Sequence, residues 1–152
     1  MKSLQDPLER AALIHRVMGL RPDVKPLWGR MTAQQMVCHL ADSFRACMGE
    51  KLVSSATGPL QRTLLKWFAL YLPLPWPKGV PTRPEVEQGV GGTPPGDFDT
   101  DRRDLITLLQ RICKDTRDFE WHSHPIFGAM RDVEWFRWAY LHVDHHLRQF
   151  GA

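Results

Sequence analysis

Residues 134–150 read EWFRWAYLHVDHHLRQF, a run with the apolar periodicity of a half-buried α-helix. Trp135 and Trp138 stand three residues apart and predict one face turned toward a hydrophobic core. His142 and His146 fall on the same side, because residues four apart differ by about 40° around a helix and by one turn along it. The sequence therefore predicts a last helix that carries two imidazoles on its core-facing side.

Four principal helices and one shorter helix are predicted from end signals and periodicity. Asp6 and Thr32 stand at N-cap positions, and Glu9 and Gln35 are placed to complete capping boxes. The predicted helices cover residues 7–18, 32–48, 59–72 (the short one), a span from about 99 to 113 that Asp99-Thr100-Asp101 caps, and 132–150.

Apolar residues at helical spacing indicate which face of each predicted helix is buried. The expected buried residues are Leu8, Ala11, Ala12, His15 and Met18 in the first helix; Met36, Leu40, Ser43, Phe44 and Cys47 in the second; Leu60, Leu64, Trp67, Phe68 and Tyr71 in the short helix; and Leu105, Leu108, Leu109, Ile112 and Cys113 in the fourth.

A long crossing separates the two halves of the chain. Residues 73–98 contain seven prolines and five glycines, too many for a regular element to persist. Neither flank has enough helices for its own core, and no segment shows the alternation of a strand. We therefore predict a single all-α domain over residues 1–152, a four-helix bundle with a long Pro/Gly-rich crossover and one extra short helix.

Composition excludes several classes of protein. The formal charge of +3 arises from 20 basic and 17 acidic residues that are interspersed, so no basic stripe for nucleic acid is expected. The most apolar stretch is too short and too broken for a membrane span, and no secretory signal is visible. Cys38, Cys47 and Cys113 lack metal-type spacing and are expected to be reduced thiols of a cytoplasmic protein.

His39 is the only histidine of the second helix and lies beside its apolar stripe. At 1.5 Å per residue it stands about 10 Å past the start of that helix, and the midpoint of His142 and His146 lies about 9 Å before the end of the last one. In antiparallel helices the three imidazoles would meet at one depth. Three neutral histidines with an open fourth position are typical of a catalytic zinc-type site.

Other interpretations of these histidines stay open at the sequence level. Buried histidines are often hydrogen-bonded core residues, and His142-Val143-Asp144-His145-His146 is not the H-E-x-x-H pattern of a zincin protease. His145 is a competing ligand three residues after His142, ranked second because it points about 60° to the other side.

Polar residues one turn from the three histidines are candidates for a supporting role. Asp42 could orient His39 or could be a surface carboxylate. Gln35 and Gln149 could each contact substrate or bond locally. His15 is expected to be structural, and His122 and His124 are expected to fix the structure of a loop.

Two segments resemble the motifs of the DinB-like superfamily of helical-bundle proteins. Residues 28–43 read WGRMTAQQMVCHLADS and are similar to its second-helix motif, and residues 142–151 read HVDHHLRQFG and are similar to its ending. With HPIFG at 124–128 and Glu134-Trp135, the likeness is to an uncharacterised bacterial branch. One departure is that Arg131-Asp132 replaces the usual Ser or Thr at the start of the last helix, so Asp132 is expected to cap it.

The resemblance implies an up-down-down-up bundle and a divalent metal, often zinc or nickel, held by His39, His142 and His146. Some relatives are thiol S-transferases or isomerases, and dimers are frequent among them. The expected function is thus a metal-dependent transferase or hydrolase that acts on a small molecule, such as a low-molecular-weight thiol, in a homodimer. The alternative is a non-catalytic bundle that dimerises or binds a ligand and contains a buried histidine network.

Overall fold

The computed structural model describes residues 1–152. Its regular secondary structure consists of helices and contains no strand, as predicted. A π-helical segment, Gln61–Leu65, leads directly into the third α-helix, and a 3-10 turn, Pro84–Val86, lies in the crossing. Strand-like pairing is confined to one isolated bridge between His124 and Gly128. The five α-helices are α1 (Pro7–Met18), α2 (Ala33–Cys47), α3 (Lys66–Tyr71), α4 (Phe98–Arg111) and α5 (Asp132–Gln149).

The predicted N-cap of α1 and the predicted capping box of α2 are confirmed, but the capping box predicted for α1 does not form: the Asp6 amide donates to Ser3 O, and Glu9 pairs with Lys2 at 3.3 Å. The Asp6 carboxylate accepts from Leu8 N at 2.9 Å. At α2, Thr32 Oγ1 accepts from Gln35 N at 3.2 Å, and Gln35 Oε1 accepts from Thr32 N at 2.9 Å. These bonds satisfy amides that the first turn of a helix leaves without partners, so the start of α2 is fixed locally.

The starts of α4 and α5 differ from the predictions. α4 begins at Phe98, ahead of the predicted Asp99, because Asp97 is the N-cap and accepts from Thr100 N at 2.9 Å. Asp132 does not cap α5 but is its first residue. Its carboxylate instead accepts from Arg117 at 2.8 and 3.0 Å, while Glu134 accepts from the Arg131 amide.

Helix α2 lies at the centre of the molecule. Twelve of its fifteen residues are buried, among them Met36, Leu40 and Phe44 from the predicted stripe. The helix contacts α4 and α5, and the turn Pro84–Val86 also lies against it. A helix that is enclosed nearly all round cannot keep a polar side chain in water, so any histidine on it must find partners inside the protein.

The predicted faces of α1 and α3 are wrong. In α1 the buried side chains are Leu13 and Val17, whereas Leu8 is 81% exposed. Apolar residues lie on two faces of α1, and periodicity alone does not indicate which face packs against α4 and α5. In the short helix Leu70 is buried, whereas Trp67 and Phe68 of the predicted face are half exposed.

The crossing is tied to α2 through the fully buried carboxylate of Asp42. Thr93 donates to it from both its amide and its hydroxyl, each at 2.7 Å, and Lys51 Nζ lies 3.2 Å away. A buried carboxylate is costly unless such donors surround it. The Pro/Gly-rich crossing is therefore fixed to the helical core at this point.

No helix combines the length and the apolar character that crossing a membrane requires.

We predict that Asp42→Ala destabilises the protein by about 2–4 kcal/mol, because it removes the acceptor for Thr93 and leaves Lys51 without its partner. Urea denaturation measures the loss, and limited proteolysis should show faster cleavage within residues 73–98. The control is Asp104→Ala, which removes a carboxylate that pairs with Arg45 at the surface and should cost less than about 1 kcal/mol. Equal losses in the two variants would contradict this account of the crossing.

Candidate metal centre

The structure brings His39, His142 and His146 together between α2 and α5. One ring nitrogen from each lies within 4.8 Å of the others, and the Nε2 atoms of His39 and His142 are 3.3 Å apart. The His146 ring centroid lies 4.9 Å from that of His39 and 5.0 Å from that of His142. The predicted convergence of these three residues at one place is thus observed.

This spacing fits a tetrahedral ion. Zinc binds imidazole nitrogen at about 2.0–2.1 Å, so two ligand nitrogens at the tetrahedral angle are about 3.3–3.4 Å apart. The observed separation of 3.3 Å between His39 Nε2 and His142 Nε2 matches that value. A ring nitrogen of His146 lies within 4.8 Å of the other two.

A backbone carbonyl of the crossing orients His39. His39 Nδ1 lies 2.9 Å from Val86 O, and a carbonyl can only accept, so Nδ1 carries the proton. The lone pair of Nε2 is therefore turned toward the other two histidines. The 3-10 turn that supplies Val86 thus acts on the site, and a residue of the Pro/Gly-rich crossing determines the tautomer of a candidate ligand.

Gln149 orients His146 in the same way. Its Nε2 donates to Trp28 O at 2.7 Å, which leaves Oε1 as the acceptor for His146 Nδ1–H at 2.9 Å. Gly29 makes room for this contact: its φ is 81°, and a Cβ there would lie 2.6 Å from Gln149 Nε2. The loop that precedes α2 therefore fixes the side-chain amide of Gln149, and this amide fixes the imidazole of His146.

His142 is held by packing instead. Its ring lies between Trp138, with centroids 4.9 Å apart, and Trp76, at 6.0 Å. Its Nδ1 is buried and has no hydrogen-bond partner. The Nε2 lone pair of His39 can accept a hydrogen bond from His142 Nε2–H at 3.3 Å. If His142 binds a cation through Nε2, its proton must instead stand on Nδ1.

The electrostatics keep all three imidazoles neutral. Burial lowers the pKa of His39, and it lowers that of His146 to about 3. The pKa of His142 is lowered by burial and, to a smaller extent, by the neighbouring imidazoles. Neutral imidazole is the form that binds a metal ion, so these histidines need not lose a proton to solvent near neutral pH before they can bind one.

The other candidate site residues are placed as follows. Gln35 bonds locally within the cap of α2. Asp42 does not hydrogen-bond to His39. Its carboxylate oxygens instead contact Thr93 of the crossing and the side chains of Lys51 and Arg45. His145 points away from the cluster and lies between Trp28 and Trp76, with ring centroids 5.8 and 6.1 Å away.

Sequence reasoning missed the contributions of Val86, Trp28 and Trp76. Val86 and Trp28 act through main-chain oxygens, which every residue type has, so no side-chain pattern could reveal them. Trp76 had a weak signal, as an isolated aromatic residue within a proline-rich loop. The thiols play no part in the cluster: burial raises the pKa of Cys38 to about 12, so that it is a poor nucleophile.

His124 is buried outside the cluster and shapes the loop before α5, as expected. Its Nδ1 accepts from the amides of Ile126 and Phe127, both at 3.1 Å, and its ring stacks on Phe127 at 4.5 Å. Burial lowers its pKa to about 3. The unfolded chain binds a proton at this residue below about pH 6.5, while the folded chain does not.

We predict that His124→Asn weakens the pH dependence of stability. Asparagine can supply an acceptor in place of Nδ1 but does not titrate. Between about pH 6.5 and pH 4 the wild type should lose stability relative to the variant by up to about 1.4 kcal/mol per pH unit. Urea denaturation at pH 7, 6 and 5 measures the difference, and a difference that does not change with pH would contradict the burial of neutral His124.

A comparison with protein families finds a match that covers most of the chain. Searches of curated proteins and of solved structures find no match. A family model described as a protein of unknown function, DUF1569, matches residues 12–152, which include all three histidines and every helix except the first residues of α1. The chain therefore belongs to the DUF1569 family of proteins of unknown function.

Proposed function

We propose that this protein is a divalent-metal-dependent enzyme of the DinB-like type, with the metal held by His39, His142 and His146. The observation that carries the proposal is the meeting of three neutral imidazole nitrogens within 4.8 Å, two of them at the spacing of tetrahedral ligands. The hydrogen bonds that His39 and His146 donate to Val86 O and Gln149 Oε1 support it, since they turn the lone pairs of these two imidazoles inward.

The donor set indicates which metals and which chemistry to test. Three imidazoles suit zinc or nickel and leave the full charge of a divalent ion in place. A metal ion held by three histidines with an open position lowers the pKa of a thiol or water molecule that binds there. We therefore propose thiol S-transfer or hydrolysis as the reaction class, with a low-molecular-weight thiol as a candidate substrate.

The residues of the chain would have distinct roles in such a reaction. The three histidines hold the ion, and Val86 and Gln149 keep two of the rings in place. No carboxylate belongs to the cluster. Asp144, which is two residues after His142, is bound to Arg16 at 2.6 Å. The proposed chemistry therefore depends on a lowered pKa of the bound thiol or water, without a carboxylate base.

The DinB-like assignment includes a topology. In the proposed up-down-down-up bundle, α1, α2, α4 and α5 are the four principal helices and α3 is the additional short one. The helix contacts support this assignment, since α2 contacts α4 and α5, and α1 contacts the same two helices. The long crossing then connects the first pair of principal helices, α1 and α2, to the second pair, α4 and α5, as such a topology requires.

A second candidate function is a non-catalytic bundle with a buried histidine network. The contact that favours it is the 3.3 Å approach of His39 Nε2 and His142 Nε2, which can be a hydrogen bond between two neutral rings. This alternative predicts that a chelator leaves thermal stability unchanged. The metal proposal predicts a lower melting temperature after chelation, because metal binding to the folded state is linked to stability.

We predict that the wild-type chain binds one equivalent of zinc or nickel and that His142→Ala abolishes this binding. Isothermal titration of chelator-treated protein measures the stoichiometry. The matched control is His145→Ala, which removes a neighbouring imidazole of the same helix that points away from the cluster and should keep full binding. Equal loss in both variants, or no binding by the wild type, would rule out the proposed centre.

We also predict that Gln149→Ala lowers zinc affinity by about 10–100-fold, because His146 loses the acceptor that fixes its tautomer and ring orientation. Competition with a chromogenic chelator measures the affinity. Gln35→Ala serves as control: it removes a glutamine that bonds only within the α2 cap, so helix stability should fall by about 1 kcal/mol while zinc affinity stays the same. Unchanged affinity in the Gln149 variant would exclude its supporting role.

A further inference from the structure

An open pocket of about 430 Å³ lies beside the histidine cluster. Two tryptophans, Trp28 and Trp76, line it together with His145, Lys78 and Arg148. Its volume falls in the range of about 300–1,000 Å³ that is usual for small-molecule sites. Its lining combines the two tryptophan rings with three polar side chains, which can position a ligand.

The pocket and the cluster have common walls. Trp76 lines the pocket, and its ring lies 6.0 Å from that of His142. His145 also lines the pocket, and its ring lies 5.2 Å from that of His146. The indole N–H of Trp76 donates to Ala69 O at 2.8 Å, which holds this wall against the short helix α3. A molecule in the pocket would therefore lie one side chain away from the candidate metal ligands.

The charges that line the pocket are positive. Lys78 and Arg148 line it, and no acidic side chain does. The Lys78 ammonium forms no ion pair and lies 4.4 Å from the centre of the Trp28 ring. The nearest carboxylate to Arg148 is Asp144 at 3.7 Å, and that carboxylate already pairs with Arg16 at 2.6 Å. Both cations can therefore bind a further anion.

The C-terminal backbone does not neutralise these cations directly. Ala152 lines the pocket, and its main-chain oxygen accepts from Arg16 at 2.8 Å. The single charge of Arg16 is thus shared between the Asp144 carboxylate and the Ala152 oxygen. Lys78 and Arg148 are the two cationic side chains that line this cavity with aromatic walls.

From this arrangement we infer that the pocket binds the substrate of the metal centre and that this substrate is a small organic anion, held by Lys78 and Arg148 against Trp28 and Trp76. The inference rests on the proposed function, since it assigns the substrate class of that site. The anionic group would lie at Lys78 and Arg148, and the body of the molecule would lie against Trp76, whose ring adjoins His142. The recognised chemistry is a carboxylate, sulfonate or phosphate on a small apolar or planar body.

Binding to the pocket can be tested without any metal. Metal-free ¹⁵N-labelled protein is titrated with benzoate, and with benzamide as its neutral counterpart, at constant ionic strength. Benzoate should shift the indole resonances of Trp28 and Trp76, assigned from Trp→Phe variants, and benzamide should bind at least about threefold more weakly. Equal affinity for the two probes, or shifts confined to other tryptophans, would overturn the inference.

Charge variants test which residues hold the anion. Lys78→Gln and Arg148→Gln should each weaken benzoate binding by at least about threefold and leave benzamide binding unchanged. Lys114→Gln is the matched control, because it removes the same charge from an exposed position in the loop after α4 and should have no effect. An equal effect of the Lys114 variant would mean that only net charge matters, and the pocket would lose its assignment.

A second measurement tests the link to the metal centre. Cobalt-loaded protein is titrated with 3-mercaptopropionate and with 2-mercaptoethanol, and thiol binding is followed by the change in the cobalt absorption spectrum. The anionic thiol should bind at least about threefold more tightly, and Lys78→Gln with Arg148→Gln should remove that preference. Similar affinities for both thiols in the wild type would overturn the assignment of the pocket as a substrate site.

The two proposals can fail separately. A chain that binds zinc through its histidines but shows no preference for benzoate or 3-mercaptopropionate refutes the anionic substrate alone. A chain that binds no divalent metal refutes the proposed function, and with it the substrate role of the pocket, whatever the result with benzoate.

Discussion

The enclosure of three neutral imidazoles between α2 and α5 is the constraint on which the other features depend. Because α2 is buried on nearly all sides, His39 cannot be hydrated and must bond inside the protein. Val86 O of the crossing accepts the hydrogen bond of His39. Gln149 accepts that of His146, and Gln149 is itself held by Trp28 O in the loop before α2. Two irregular segments are therefore shaped by the hydrogen-bonding requirements of a helical core.

Asp42 shows how the same core fixes the irregular segments in place. Its buried carboxylate binds both polar groups of Thr93, at the far end of the crossing from Trp76. Between these two points, the turn Pro84–Val86 is brought against α2. The prolines of this segment lose little conformational entropy when it is ordered, but its five glycines lose more, so the hydrogen bonds at Asp42 and His39 help to hold it. The pocket beside Trp76 exists because this segment has a defined course.

Much of the fold could be predicted because helix ends and helix periods are local properties. The Thr32 capping box and the register of His142 and His146 follow from neighbours in sequence. The predicted faces of α1 and α3 were wrong for a nonlocal reason: Leu8 and Leu13 are equally apolar, and only contact with other helices selects Leu13 for burial. The hydrogen bond that His39 donates to Val86 O was unpredictable for the same reason, since it depends on the path of the crossing.

The central claim is that His39, His142 and His146 bind one divalent metal ion through three ring nitrogens. The most direct test is a crystal of the zinc-loaded protein, with anomalous scattering measured on both sides of the zinc absorption edge. We predict one strong peak about 2.0–2.1 Å from a nitrogen of each of these three rings. A zinc ion bound elsewhere, for example at His145 or His122, or no peak at the cluster after soaking with excess zinc, would contradict it.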